Sequence, residues 1–221
     1  MVVSARRARE IARIRQDILD AAARALADRG FANATMQDIA REAGYTAASL
    51  YSYFSSKEEI IRELVLSILR ERQNIRVKEM PGDLSLRQKL EIYLRRQLDF
   101  ATRHRDAIRF FLLSGGIPAG LLEGMVDGCD VEEEPPSGRP DDTTPMEIAA
   151  LDFSRFFAEQ AKPEELHGWS PEDAGLAFAG LVHGFFLRWL RRPVDEAGDS
   201  AGIPTLVEFF VGGLEASRLT R

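Results

Sequence analysis

A single cysteine, Cys129, serves the whole 221-residue chain. One thiol excludes an internal disulfide framework and fits a reducing compartment. Its neighbours Asp127, Asp130 and Glu132 to Glu134 disfavour a thiolate, so Cys129 reads as an inert loop thiol and not as a redox sensor. Histidine is also scarce. His104, His167 and His183 show no metal-ligand spacing, and no cysteine partner stands near them. A glycine-rich phosphate loop and a Gly-x-Ser-x-Gly nucleophile motif are both missing. The expectation is a protein that is not an enzyme and needs no metal or cofactor. No uninterrupted apolar run approaches the roughly 18 residues of a membrane span. The first ten residues are arginine-rich (Arg6, Arg7, Arg9) with no apolar core behind them, unlike a secretory signal. The expected location is cytoplasmic, without membrane association, and the Asn33-Ala34-Thr35 sequon is then a chance match.

The charge is unevenly shared. The net charge is −6, from 29 Lys+Arg against 35 Asp+Glu. Residues 1–57 hold nine basic and six acidic side chains, a balance of +3, which leaves −9 for residues 58–221. A small basic end on a larger acidic body suits docking on a polyanion by one end only.

That basic end carries the most informative stretch, residues 29–59 (RGFANATMQDIAREAGYTAASLYSYFSSKEE). Thr35 followed by Asp38 forms a capping box for a helix over 35–43, with Ile39, Ala40 and Ala43 as its buried stripe and Gly44 as its left-handed stop. Thr46 caps a second helix over 47–54, and Tyr45 before it is placed to staple onto Leu50. Two short helices joined by a tight turn are a helix-turn-helix, a motif that lays its second helix in the major groove of DNA.

Arg29-Gly30-Phe31, Thr35, Ile39-Ala40, Ala43-Gly44, the run Leu50-Tyr51-Ser52-Tyr53-Phe54 and Lys57 together resemble the DNA-binding region of the tetracycline-repressor (TetR) family of bacterial transcription regulators. The resemblance covers roughly residues 11–69, about a quarter of the chain, and over the rest it is one of topology. It implies that Thr35, Tyr51 and Lys57 touch phosphates, and that Thr46, Ala47, Ala48, Ser49 and Tyr53 line the face towards the bases. The family often has a basic or polar residue and then glycine where Ala47 and Ala48 stand. Alanine offers a base edge only a methyl contact, so base readout rests on Ser49, Tyr53 and Thr46, with DNA shape supplying the remainder.

Helical periodicity runs through the rest of the chain without a convincing strand. A first helix reads from 6 to 28, with Ile11, Ile14, Ile18, Ala22, Ala25 and Leu26 on one side. Its basic arm, Arg6, Arg7 and Arg9, reads equally well as a frayed helix end or as a phosphate or minor-groove contact. Further helices are expected over 57–79, 84–104, 106–114, 119–126, 145–161, 171–191 and 204–219. Residues 131–142 are acidic and proline-rich and read as an exposed loop. The fold class is therefore all-α: a three-helix DNA-binding domain over 1–57, then a larger helical effector-binding and dimerisation domain over 58–221, with the boundary inside a long helix.

Residues 174–190 are apolar nearly all round, which implies burial on more than one side. The resemblance assigns the last two helices to a four-helix dimer interface, here Leu181, Phe185, Arg188, Leu206, Phe210 and Gly213. Gly180, Gly184, Gly212 and Gly213 suit a seam where backbones approach closely. The phenylalanines of the larger domain are individually ordinary core residues. As a group, Phe110, Phe111, Phe153, Phe157 and Phe186, with His183 among them, are candidates to line an apolar pocket. A hydrogen-bonded core histidine is the plainer reading of His183, and Arg188 is open to an acid across the dimer or an anionic ligand.

The expected function is a homodimeric, ligand-responsive transcription regulator, in this family most often a repressor. It would be released from a pseudo-palindromic operator on double-stranded DNA by a small hydrophobic effector. The alternatives are a regulator of this fold that activates or answers to a protein partner, a DNA-binding structural factor without effector, and a helical enzyme.

Overall fold

A computed structural model describes residues 2–76, 80–113, 145–193 and 200–217. Cys129, the helix expected over 119–126 and the loop 131–142 lie outside the described residues. Every regular element described is a helix. The chain divides into two compact units, Met1–Glu71 with Asp106–Asp142 and Arg72–Arg105 with Thr143–Arg221.

The first unit is built on α1 (Val2–Asn33), whose helical path breaks at Gly30, φ 73. Ile18, Leu19, Ala22, Ala25 and Leu26 are buried along it, whereas Ile11, the first member of its apolar series, is exposed. α2 (Met36–Ala43) is closed at both ends as its sequence dictates. The Thr35 side chain accepts from the Asp38 N–H, Asp38 answers to the Thr35 N–H, and Gly44 ends the helix at φ 74. α3 (Ala47–Leu50) is one turn long, shorter than the expected span. Helical bonding nevertheless continues beyond it, with Tyr51 N to Ala47 O at 3.1 Å and Phe54 N to Leu50 O at 3.1 Å. Shorter three-residue steps at Ser52 and Tyr53 tighten that last turn and end the regular helix.

α4 (Lys57–Arg76) buries Ile60, Ile61, Leu64, Val65 and Ile68, and the division between the units falls within it. α6 (Arg105–Leu113) belongs almost wholly to the first unit. It buries Ala107 and Phe110, and its Arg109 pairs with Asp28 of α1 at 3.4 Å.

The second unit comprises α5 (Leu86–Arg103), α7 (Pro145–Gln160), α8 (Pro171–Leu190) and α9 (Gly202–Ser217). Ser85 opens α5 with a capping box to Gln88, and Ser170 opens α8 ahead of Pro171. A single 3-10 turn, Pro163–Leu166, joins α7 to α8 and ends at His167 in a left-handed conformation. The core is aromatic. Phe153 meets Phe178 edge-on with ring centroids 4.8 Å apart, and Phe178 and Phe157 both pack on Phe210, at 4.7 and 5.5 Å. Tyr93 of α5 closes the group against Phe153 and Phe156. Burying such a ring is worth roughly 1.5–3 kcal/mol, and a well-set pair adds about 0.5–1.5 kcal/mol more.

Within the chain a close helix approach lies at Gly175. A Cβ on Gly175 would stand 2.5 Å from the Ser154 backbone nitrogen, whereas nothing lies within 4 Å of one built on Gly180, Gly184, Gly212 or Gly213. α7 and α8 therefore cross at Gly175. Gly175→Ala should lower stability by roughly 1–3 kcal/mol through overpacking. Gly82→Ala, with nothing within 4 Å of the added carbon and no positive φ, should be neutral or slightly stabilising, as read by urea unfolding of the two variants beside the wild type.

Candidate nucleic-acid interface

The turn between α2 and α3 is fixed by its caps, and the residues assigned to DNA lie on its outer side. Thr35, Thr46, Ala48 and Tyr51 are exposed, with Tyr51 at 56%, while Ala47, Ser49, Tyr53 and Lys57 are half-buried. Leu50 and Phe54 point into the unit and are fully covered. The Thr46 Oγ1 accepts from the Ser49 N–H at 3.1 Å, which leaves its hydroxyl hydrogen to donate. Thr35 is more committed. Its hydroxyl donates to the Asp38 carboxylate at 2.7 Å and its N–H reaches the same oxygen at 3.2 Å. What this end of α2 offers a phosphate is therefore the N–H groups of its first turn.

Two cations set the angle at which this surface is presented. Arg15 of α1 donates to the Tyr53 carbonyl at 2.5 Å, forms a bidentate pair with Glu63 of α4, and lies 4.1 Å over the Phe54 ring. It thereby ties the end of the recognition segment to both long helices. Lys57 donates to the carbonyls of Phe31 and Ala34 at 2.8 and 3.0 Å and sits 4.5 Å from the Phe31 ring centroid. Its ammonium thus closes the last turn of α1, with at most one hydrogen left to share. Sequence reasoning did not find Arg15, because its partners lie 38 and 48 residues away.

Two carboxylates in the unit act as caps, and both are held below the usual carboxylate range. For Asp38 the Thr35 hydroxyl is the main cause, helped by the Thr35 N–H and by Arg29 and Arg41. For Glu59 the causes are the Ser55 hydroxyl and N–H, both at 2.6 Å.

Phe110, buried, and Phe111, half-buried, belong to the first unit and touch one another at 5.3 Å between centroids. Phe153 and Phe157 lie inside the interlocked aromatic core of the second unit. His183 and Phe186 of α8 are half-buried, and Phe186 packs on Phe185 and Trp189. Of the residues assigned to a dimer face, Arg188 and Gly213 are exposed, and Leu181, Phe185 and Leu206 are half-buried. Phe210 is turned inward at 5% exposure, and Phe209 takes the outward place at 71%. The register of α9 sets this, since Phe210 shares its inner face with Ile203, Val207 and Leu214. Among the described residues no group of His, Cys, Asp or Glu side chains could hold a metal ion. None of the described helices is long and apolar enough to cross a membrane.

A capped helix-turn-helix with an outward polar face, ahead of a second all-helical unit, defines a DNA-binding transcription regulator. Residues 18–64 match the family model described as bacterial regulatory proteins, tetR family. Among curated proteins, the regulator BetI of Agrobacterium fabrum is 46% identical over 57 residues, 26% of this chain and 28% of that protein. TtgR of Pseudomonas putida is 29% identical over 193 residues, 84% of this chain and 85% of that one. A TetR-family regulator from Rhodococcus shares the fold, with a TM-score of 0.62 at 17% identity, over 90% of this chain and 99% of its own. Residues 18–64 thus carry the N-terminal DNA-binding domain characteristic of tetR-family regulatory proteins.

Arg15→Ala should destabilise the DNA-binding unit by roughly 2 kcal/mol, because a charged hydrogen bond and a cation–π contact go together. Thermal unfolding checks it, with Arg15→Lys recovering only part of the loss. The caps predict an acid response. A depressed carboxylate adds stability above its unfolded pKa of about 4 and loses it as pH falls through the lower folded value. Stability should therefore fall as the pH drops below about 4, and less steeply in Asp38→Asn than in the wild type. Urea midpoints measured at successive pH values compare the two.

Proposed function

We propose that the protein is a homodimeric repressor that acts in the cytoplasm and leaves a pseudo-palindromic operator when a hydrophobic small molecule occupies its second unit. The observation that carries this reading is the outward polar face of the α2–α3 turn, held rigidly on α1 and α4 by Arg15 and Lys57. Positioning on the DNA falls to Tyr51, Lys57 and the first turn of α2 beyond Thr35, and reading of the bases to Thr46, Ser49 and Tyr53. Ala47 and Ala48 contribute methyl contacts alone.

The dimer surface is the exposed side of α8 and α9. Leu176 is 53% exposed there, in company with Gly180, Gly184, Phe209 and Gly213. Large apolar side chains beside glycines, on helices otherwise buried, are what a second helix pair would cover. Transmission falls to α4 and α6. α4 serves both units, and α6 holds α1 through Arg109 and Asp28. With Phe153 and Phe157 locked in the core, the effector's surroundings are drawn to the half-buried Phe186 and His183 and to the inner face of α5.

Footprinting on genomic fragments should reveal an inverted repeat whose half-sites are one helical turn (~34 Å) or a multiple of it apart. A monomeric protein that protects no such repeat would exclude the proposal. Ser49→Ala should relax preference at one base position by roughly 1–3 kcal/mol, while Tyr51→Phe weakens specific and random DNA alike. Lys57→Ala should lower both the salt slope, by about one unit, and the melting temperature of the free protein. An effector that releases DNA must favour the DNA-free protein by the factor with which it weakens operator binding, typically 1–3 kcal/mol. Titrations with and without operator should give equal factors.

A further inference from the structure

Among the described residues, the polar side chains packed inside the second unit nearly all have partners. Lys89, itself buried, donates to the Gln160 carbonyl at the end of α7. Glu165 accepts from the N–H groups of Leu86 and Lys162. Arg105 donates to the carbonyls of Leu190 and Arg192 at the end of α8 and lies over the Trp189 ring. Two side-chain nitrogens remain. Among the described residues only the Gln97 Nε2 and the Arg105 Nη1 are buried and without a hydrogen-bond partner.

Arg105 already has a structural post, with its other terminal nitrogen on two carbonyls. Gln97 has none. It stands in mid-helix on α5 and is 8% exposed. Tyr93, one turn before it, packs on Phe153 and Phe156, and Phe100, one turn after it, packs on His104. Positions three and four apart share a helix face, so Gln97 interrupts an aromatic stripe with one polar head. Leucine or methionine would fill such a place without leaving a buried donor unpaired, and an unpaired donor destabilises the free protein. A polar side chain kept there against that cost is accounted for by a partner that arrives from outside the chain.

We infer that Gln97 is the polar anchor of an effector site on the inner face of α5, donating through Nε2 to a carbonyl or carboxylate oxygen on a largely apolar molecule. The inference rests on the proposal that the second unit holds an effector, and it narrows the chemistry of that effector. The unmet Gln97 group is a donor, so the missing partner is an acceptor. An ammonium or a purely hydrocarbon ligand leaves the demand unmet. A polyhydric sugar brings more hydrogen-bonding groups than this aromatic stripe can answer.

The test uses the full chain and two probes of nearly equal shape, 2-acetylnaphthalene and 2-isopropylnaphthalene, titrated by calorimetry. The ketone should bind the wild type roughly tenfold more tightly, the effect of one hydrogen bond to a buried donor. In Gln97→Leu that preference should vanish or reverse. The melting temperature of the unliganded variant should stay the same or rise, because the unpaired donor has gone. Gln97→Met repeats the comparison should the leucine variant fold poorly. A preference that survives both substitutions, or a wild type that does not distinguish the probes, would overturn the role of Gln97 and leave the effector reading standing. Failure of both probes to bind the wild type at all would overturn the effector reading with it.

Discussion

Helix ends are the weak points of an all-helical chain, because the last turn of every helix leaves carbonyls without an intrahelical partner. In this protein a recurrent solution is a cation brought from a distant element. Lys57 closes α1, Arg15 holds the carbonyl at the end of the recognition segment, Lys89 closes α7 and Arg105 closes α8. Each meets the negative end of a helix dipole while it satisfies a specific oxygen, so one contact fixes both the length of a helix and the place where its neighbour crosses. Arg15 and Lys57 matter most for function. Between them they make the orientation of a four-residue helix a property of the two long helices beside it.

The same device shows what was and was not legible in the sequence. Local signals read true. Thr35 with Asp38, Gly44 and Thr46 each announce a cap whose partners lie within a few residues, and each cap is present. Long-range pairings gave no signal. Arg15, Lys89 and Arg105 look like any other cation on an amphipathic helix, because nothing in a linear pattern records which carbonyl a long side chain reaches across the fold. Periodicity failed in a narrower way at α9. Phe209 and Phe210 are adjacent and chemically identical, and only the register against Val207 and Leu214 decides which one faces outward. The glycines of α8 show the same limit. Gly175 is required by Ser154 on another helix, a fact absent from α8's own sequence.

The aromatic residues divide by context in a way composition does not reveal. Phe153 and Phe157 meet Phe178 edge to face while Phe210 packs at a tilt on Phe157 and Phe178, so removing Phe178 leaves a cavity that the other three line. Phe185 and Phe186 on α8 have more open surroundings, half-exposed and beside glycines. A rigid aromatic core next to a looser aromatic helix is a sound arrangement for a regulator. The first holds the unit together whatever its state, and the second can repack at modest cost.

Coupling between an effector and DNA requires an element with two arrangements that both sites bias. The helices best placed for that part are those whose own stability rests least on the aromatic core. α6 answers this description. It is nine residues long, buries Ala107 and Phe110, and is tied to α1 by an ion pair whose side chains are largely exposed. An exposed pair is worth only about 0–1 kcal/mol, so this tie by itself does little to resist a shift of α6 on α1. That small strength is of the same order as the 1–3 kcal/mol by which an effector typically discriminates between two states. A stronger tie, such as the one Arg15 makes to α4, would hold the DNA-binding unit in one arrangement and leave an effector nothing to move.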